Sequence, residues 1–275
     1  MHGLRTICFL HFCGAFLCYT PCKRVASFKL WMKSGYETNN VFIFGLGYVG
    51  LRCARMLCSR GYSVQGTCRS EQGVEAISTE SNGLIQAYVF SRKTPLSAEA
   101  ASALEKSSYI LSTIPPDSES DDPVLQHFES YSDSIKSKLM LGYFSSTTIY
   151  GNHDGNWVDE SSPTLFNVAK AASRSAAENR WKTLELFGSP VHIFRLSGIY
   201  GPNRSALQTV VKNNGNLSSV GLDNCSYVSR IHIDDITQYV LLTIQHCRDF
   251  QSGQVVNLSD NYPSTKYEVK TKRIL

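Results

Sequence analysis

Apolar residues fall in short runs along this chain, separated by polar stretches of helix-forming character. Val41-Phe42-Ile43-Phe44 is apolar throughout, the pattern of a parallel strand covered on both faces. Runs at Tyr62–Thr67, Leu84–Phe90, Tyr109–Ile114, Met140–Ser146 and Val191–Leu196 predict further strands. Leu51–Cys58, Ala98–Lys106, a segment opened by Asp122-Pro123 and running to about Lys138, and one from near Val168 to Phe187 read as helices. Gly61 and Gly188 close the first and last of these, and Pro115-Pro116 stops the fourth strand. Strands alternating with helices over this length predict an α/β protein. The expected form is a Rossmann-type, doubly wound parallel sheet with helices on both faces. No internal repeat or low-complexity segment interrupts the pattern.

The first strand runs straight into Gly45-Leu46-Gly47-Tyr48-Val49-Gly50, a G-x-G-x-x-G placed between strand and helix. Such glycines allow a tight turn, close approach of backbone to a pyrophosphate, and close packing of the following helix. That helix start offers free N–H groups and a partial positive charge to the phosphates. A dinucleotide is therefore the expected ligand, held by Gly45, Leu46, Gly47, Tyr48, Val49 and Gly50. An acid at the end of the second strand would hold the adenosine ribose of NAD(H). Here that end reads Thr67-Cys68-Arg69-Ser70, with no acid to repel a 2′-phosphate and Arg69 placed to pair with one. NADP(H) is expected over NAD(H); the competing reading leaves Arg69 in solvent and gives the ribose to Glu71.

Charge narrows the partners. Of the net +4, all arises in residues 1–40, and residues 41–275 balance at 22 basic and 22 acidic side chains. No basic face for nucleic acid is expected. Four cysteines lie in the leader and five are scattered through the body, without the paired spacings of a zinc site or a disulfide framework. Residues 1–36 lack Asp and Glu, which suits an organellar transit peptide, chloroplast or other plastid, with a cytoplasmic protein as the alternative. The apolar stretch Ile7–Cys18 also imitates a secretory signal but is too short to span a membrane. The sequons at Asn203, Asn216, Asn224 and Asn257 matter only for a secreted chain.

Four further segments carry a family resemblance. Phe144-Ser145-Ser146-Thr147-Thr148-Ile149-Tyr150-Gly151 resembles the strand-five motif of extended and atypical short-chain dehydrogenase/reductases, the NAD-dependent epimerase/dehydratase superfamily. Arg195-Leu196-Ser197-Gly198-Ile199-Tyr200-Gly201-Pro202 resembles its R-x-x-x-x-Y-G-P segment, and Arg230 to Ile236 its H-V-D-D segment. With Leu111-Ser112-Thr113-Ile114-Pro115-Pro116, the combination is closest to the YeeZ-like atypical branch. UDP-sugar dehydrogenases share the glycine string, but their catalytic cysteine and second large domain have no counterpart here.

The resemblance implies cofactor contacts at Thr113, Ile114 and Pro115, and substrate contacts at Tyr150 and Arg204. It also implies catalysis by Ser146 with a Y-x-x-x-K pair, in which the lysine lowers the tyrosine pKa. A phenol near pKa 10 is a poor acid–base at neutrality without that help. In this chain the pattern falls on Lys170, Arg174 and Glu178, so lysine stands for tyrosine and arginine for lysine. Arg174 is still expected to hold a cofactor ribose or phosphate, and Lys170 is the substitute acid–base candidate. His153 and Asp154 fall in a loop near the pocket, and Trp157 and Trp181 read as packing anchors, with the wall of the nicotinamide side of the cleft as the alternative for Trp157. His232 with Asp234 and Asp235 reads as a cap for the run Ile236–Ile244.

A small substrate lobe is expected from about residue 197. Val255 to Ser264 resembles the family's N-x-x-D-x-x-P segment, after which a basic tail ends the chain, so the lobe reads as incomplete. Two readings stand. One is a hydride-transfer enzyme acting on a small or nucleotide-linked substrate; the other is a non-catalytic dinucleotide-binding sensor or assembly factor. Neither calls for metal, membrane or nucleic acid, and a homodimer is the candidate assembly.

Overall fold

The computed structural model describes residues 39–116, 122–130, 135–136, 138–166, 169–205, 227–250, 252–260 and 262–265. The leader up to residue 38, the basic tail from Tyr267, the sequons at Asn216 and Asn224, and Cys225 lie outside the described residues.

The strands, in chain order, are β1 (Asn40–Phe44), β2 (Ser63–Cys68), β3 (Ile85–Val89), β4 (Tyr109–Ser112), β5 (Met140–Ser146) and β6 (Val191–Leu196). Shorter ones follow: β7 (Gly198–Tyr200), β8 (Tyr227–Val228), β9 (Arg230–His232), β10 (Val255–Leu258) and β11 (Ser264–Thr265). The helices are α1 (Tyr48–Ser59), α2 (Glu71–Glu80), α3 (Ala98–Lys106), α4 (Pro123–Ser130), α5 (Ala169–Thr183) and α6 (Ile233–Gln245).

Seven strands form one sheet in the order β10-β6-β5-β4-β1-β2-β3, and every neighbouring pair is parallel. This is the expected doubly wound α/β architecture. Side chains of β1 alternate between two apolar layers, Val41 and Ile43 facing one and Phe42 and Phe44 the other. The first layer is closed by Cys53, Ala54 and Leu57 of α1 and by Ile236, Val240 and Leu241 of α6. The second is closed by Leu104 of α3, Leu125 and Phe128 of α4, and Trp181 of α5. Because both faces are covered, the strand shows no polar alternation.

Helix ends follow local chemistry. In α1 the chain turns off at Gly61, φ +85°, after backbone bonds from Gly61 to Cys58 and from Tyr62 to Leu57. Asp122 heads α4, its Oδ1 accepting from Val124 N–H at 2.8 Å and Leu125 N–H at 3.2 Å. Its Oδ2 accepts the indole N–H of Trp181 at 2.8 Å, and that ring stacks on Tyr143. One buried carboxylate thus joins α4, α5 and the sheet.

Several boundaries differ from the sequence reading. α1 begins at Tyr48, inside the glycine motif, rather than at Leu51. The residue pattern does not announce α2, because Gly73 interrupts it and Ile77 is its one buried residue. Its readable signal is Ser70, whose side chain caps Gly73 N–H. β10 was read only as a motif, and it proves to be the outer strand beside β6. β4 ends at Ser112, so Thr113 and Ile114 leave the sheet for the glycine turn. The described part of α4 stops at Ser130, short of Lys138. His232, rather than either aspartate, caps α6 by accepting from Asp234 N–H at 3.2 Å. The small pairs β7–β9 and β8–β11 stand apart from the main sheet, in the region read as a lobe.

On β6, His192 is 1% exposed, and its Nε2 has no hydrogen-bond partner among the described residues. Burial pushes its pKa down to about 4, with Glu185 opposing in part. The folded state therefore resists protonation while the unfolded chain takes a proton near pH 6.5. This residue's contribution is intact above pH 6.5 and is lost as pH falls toward 4, by on the order of 3 kcal/mol. Urea unfolding of His192→Leu should show a smaller stability loss between pH 6.5 and 4 than the parent; equal slopes would refute the assignment.

Candidate functional site

The site grows from the end of β1, at the point where strand order reverses between β1 and β4. Gly45 has φ +90°, and a Cβ there would stand 2.7 Å from Thr113 Oγ1. Gly50 has no room either, since its Cβ would lie 2.1 Å from the carbonyl oxygen of Gly45. α1 can therefore begin directly against the turn. Gly47 is different: nothing lies within 4 Å of where its Cβ would be. The turn is closed at both ends and open in the middle. α1 has no side-chain cap and no acid in its first turn, so its first N–H groups face the opening.

Neighbouring strands brace the turn. Thr113 Oγ1 donates to Gly45 O at 2.6 Å, and Thr113 N–H donates to Phe44 O at 2.9 Å. From β2, Thr67 accepts Gly45 N–H on its hydroxyl at 3.1 Å and Leu46 N–H on its carbonyl at 2.6 Å. Leu46 itself is buried under Gly66, so it serves the site through backbone alone.

In front of the turn opens a cleft of about 1240 Å³. It takes in Gly47, Tyr48, Val49, Thr113 and Pro115 from the turn side, and Ser146, Thr148 and Tyr150 from the end of β5. Arg174 of α5 and Arg204 line it too, with Trp157 and Tyr227 toward the lobe. Arg174 is half-buried and makes no hydrogen bond or ion pair with described residues. Ser146 Oγ is 2.9 Å from Thr148 Oγ1 and accepts from Thr148 N–H at 3.2 Å. Ser145 Oγ is buried on the same wall with no partner among the described residues.

Beneath this wall lies a polar network. Arg195, 5% exposed, grips Glu178 with Nε and Nη2, the latter at 2.8 Å, and donates from Nη1 to the Tyr150 hydroxyl at 2.8 Å. Tyr150 in turn donates to Asn257 Oδ1 at 2.7 Å. Burial raises the phenol's pKa, more than Arg195 and Asn257 lower it. Four elements are tied at one point: α5, β6, β10 and the turn after β5.

The expected site residues divide accordingly. Ser146, Tyr48, Gly47, Val49, Thr113, Pro115, Tyr150, Arg174 and Arg204 all reach the cleft, while Ile114 packs into the core instead. Tyr150 offers ring surface to a ligand, its hydroxyl being committed to Arg195 and Asn257. Lys170 is exposed and is not among the residues lining the cleft. Arg69 sits exposed at the end of β2, outside the cleft and beside the α2 start. Trp181 is the packing anchor expected, whereas Trp157 is 58% exposed on the cleft wall. His153 lies on that wall with Nε2 3.1 Å from Pro163 O, and Asp154 accepts from Asn152 in the same loop. Asn257 was legible only as a motif letter, since its partner Tyr150 is far away in sequence.

No family model matches the chain. The Escherichia coli K12 protein YeeZ is 26% identical over 211 residues, which span 74% of this chain and 73% of YeeZ. An NAD-dependent epimerase/dehydratase structure from Methylobacillus flagellatus is 23% identical, with TM-score 0.66 over 84% of this chain and 79% of that one. The UDP-glucose-4-epimerase of Stenotrophomonas maltophila, solved with bound NAD and formylated UDP-arabinopyranose, is 21% identical. It matches with TM-score 0.63 over 83% of this chain and 80% of its own. The chain is thus similar to YeeZ in sequence and shares the fold of epimerase/dehydratase structures.

The Glu178–Arg195 pair has a further use. It joins the last residue of the shifted Y-x-x-x-K-x-x-x-E pattern to the arginine of R-x-x-x-x-Y-G-P. Removing one partner strands a buried charge. Glu178→Ala should lower unfolding free energy by about 3–5 kcal/mol, and Glu178→Leu with Arg195→Met should recover most of it. Denaturant titration decides this, and a single-variant cost under about 1 kcal/mol would contradict it.

Proposed function

We propose that this protein binds a nicotinamide dinucleotide across the carboxyl ends of β1 and β4, prefers NADP(H), and lacks the superfamily's Tyr–Lys proton relay. The observation that carries the reading is the open face at Gly47 between two positions, Gly45 and Gly50, that tolerate no side chain. Such a turn with an uncapped helix behind it suits a pyrophosphate laid against backbone N–H groups. The NADP(H) preference rests on Arg69, exposed and unpaired among the described residues, next to the Ser70-capped start of α2. An arginine fork and a helix N-terminus together favour a 2′-phosphate.

When bound, a nicotinamide supplies or accepts a hydride. The chain's own residues bind and orient: Arg174 presents a guanidinium to the cleft, and Ser146 with Thr148 presents paired hydroxyls. None of these stands in for an activated phenol, because Tyr150 is held by Arg195 and Lys170 lies outside the cleft. The protein therefore reads first as a dinucleotide-binding member of its class. Ser146, at the superfamily's Ser/Thr position and open to the cleft, supports a second reading: hydride transfer on a small or nucleotide-linked substrate that carries its own acidic proton.

Calorimetry with NADPH and NADH tests the first reading. NADPH should bind more tightly, and Arg69→Ala should weaken it by about tenfold while leaving NADH nearly unchanged. Equal losses for both dinucleotides would refute the 2′-phosphate assignment, and no binding of either at millimolar concentration would refute the function. Lys170→Ala should leave NADPH affinity unchanged.

A further inference from the structure

The segment between β7 and the lobe forms a small closed loop. Gly201 N–H donates to Arg204 O and Arg204 N–H donates to Gly201 O, both at 3.0 Å, with Asn203 at φ 60°. That loop is fastened to the glycine turn. The hydroxyl of Tyr48 donates to Pro202 O at 2.9 Å, and the guanidinium of Arg204 lies over the Tyr48 ring, 5.3 Å from its centroid. Gly201 permits this contact, since a Cβ there would stand 2.6 Å from Ile233 Cγ2 and 2.8 Å from the Tyr48 hydroxyl. Arg204 is thus held against the first residue of α1, and it lines the same cleft as Gly47.

The charge balance there is incomplete. A pyrophosphate brings about two negative charges, while a helix N-terminus offers the equivalent of about half a positive one. Residues 45–51 contain no cation. Arg52, the next in sequence, is taken by Asp234 at 2.6 Å. Arg204 forms no ion pair with a described carboxylate, and its side chain is held against the turn by stacking.

We propose that Arg204 is a ligand of the dinucleotide's pyrophosphate, brought to the glycine turn by the 201–204 loop clasped to Tyr48, rather than a contact for substrate. This deepens the proposed function and rests on it. The clasp makes the lobe part of the cofactor site: the loop that neutralises the phosphates is the one leading into the residues past 205. Tyr48 has two tasks in this arrangement, its backbone facing the phosphates and its ring aiming the guanidinium.

The test compares NADPH with 2′-AMP on the full chain. 2′-AMP keeps adenine, ribose and the 2′-phosphate that Arg69 would meet, but carries no pyrophosphate. Arg204→Gln should weaken NADPH by about tenfold or more and leave 2′-AMP unchanged. Tyr48→Phe, which keeps the ring and loses only the bond to Pro202, should give a smaller loss for NADPH and none for 2′-AMP. If the parent chain binds both ligands and Arg204→Gln keeps full NADPH affinity, the clasp is overturned and the cleft reading survives. Equal loss of NADPH and 2′-AMP would also overturn it, because the loop would then be a general support. A parent chain that binds neither ligand would overturn the dinucleotide reading and this proposal with it.

Discussion

A single close approach organises this molecule: α1 begins so tightly against the glycine turn that a Cβ at position 50 would fall 2.1 Å from the carbonyl oxygen of Gly45. Because the helix starts there, its N–H groups point across the opening at Gly47 instead of into protein. Because it lies flat on the sheet, Cys53, Ala54 and Leu57 close one apolar layer and α6 packs beside them. Thr113, arriving from the next strand, donates to that same Gly45 carbonyl and fixes the far side of the turn. Loss of the contact would tilt α1, open the layer and misdirect the N–H groups together. Fold and ligand site share one steric constraint.

The second organising feature is buried charge. Arg195 satisfies Glu178 on α5 and Tyr150 after β5, and Tyr150 passes the network on to Asn257 of β10. A buried pair of this kind gives little net stability, but its geometry is demanding and costly to break. Here it specifies which face of α5 meets the sheet. The same network occupies the hydroxyl of a phenol whose residue lines the cleft. The Tyr150 hydroxyl is thus held in place by the bonds that tie the elements together.

Much of the fold could be read from residue patterns, and the failures have physical causes. Val41–Phe44 was legible because full burial on both faces leaves an unbroken apolar run. The helix α2 was not, because most of its surface is solvated and Gly73 breaks what periodicity there is. The glycine turn declared both its shape and its ligand, since each glycine answers a separate steric demand. Lys170 could be counted onto a helix but not onto a face of the cleft; one residue in 3.6 decides that, and the neighbouring packing sets the rotation. The Tyr48–Arg204 contact joins residues more than 150 positions apart, through an aromatic ring and a loop carbonyl that no local pattern announces.

The replaced pair decides what chemistry the cleft can support. A tyrosine near pKa 10 serves as an acid–base only when a cation stabilises its anion, and the α5 residue that the sequence resemblance aligns with that tyrosine is Lys170, which is exposed. Arg174, one turn on, faces the cleft, but a guanidinium stays protonated throughout the physiological range. It can orient a ribose, phosphate or carboxylate and stabilise developing negative charge; it cannot give up a proton and take it back. Ser146 and Thr148 share a hydrogen bond, and among the described residues no base is hydrogen-bonded to either hydroxyl, so they are placed to position an oxygen. A proton for any hydride step would have to come from another group of the cleft, whose lining includes His153, Asp159 and Glu160, or from water or the substrate. Arg174, Ser146 and Thr148 therefore serve binding and orientation in this geometry.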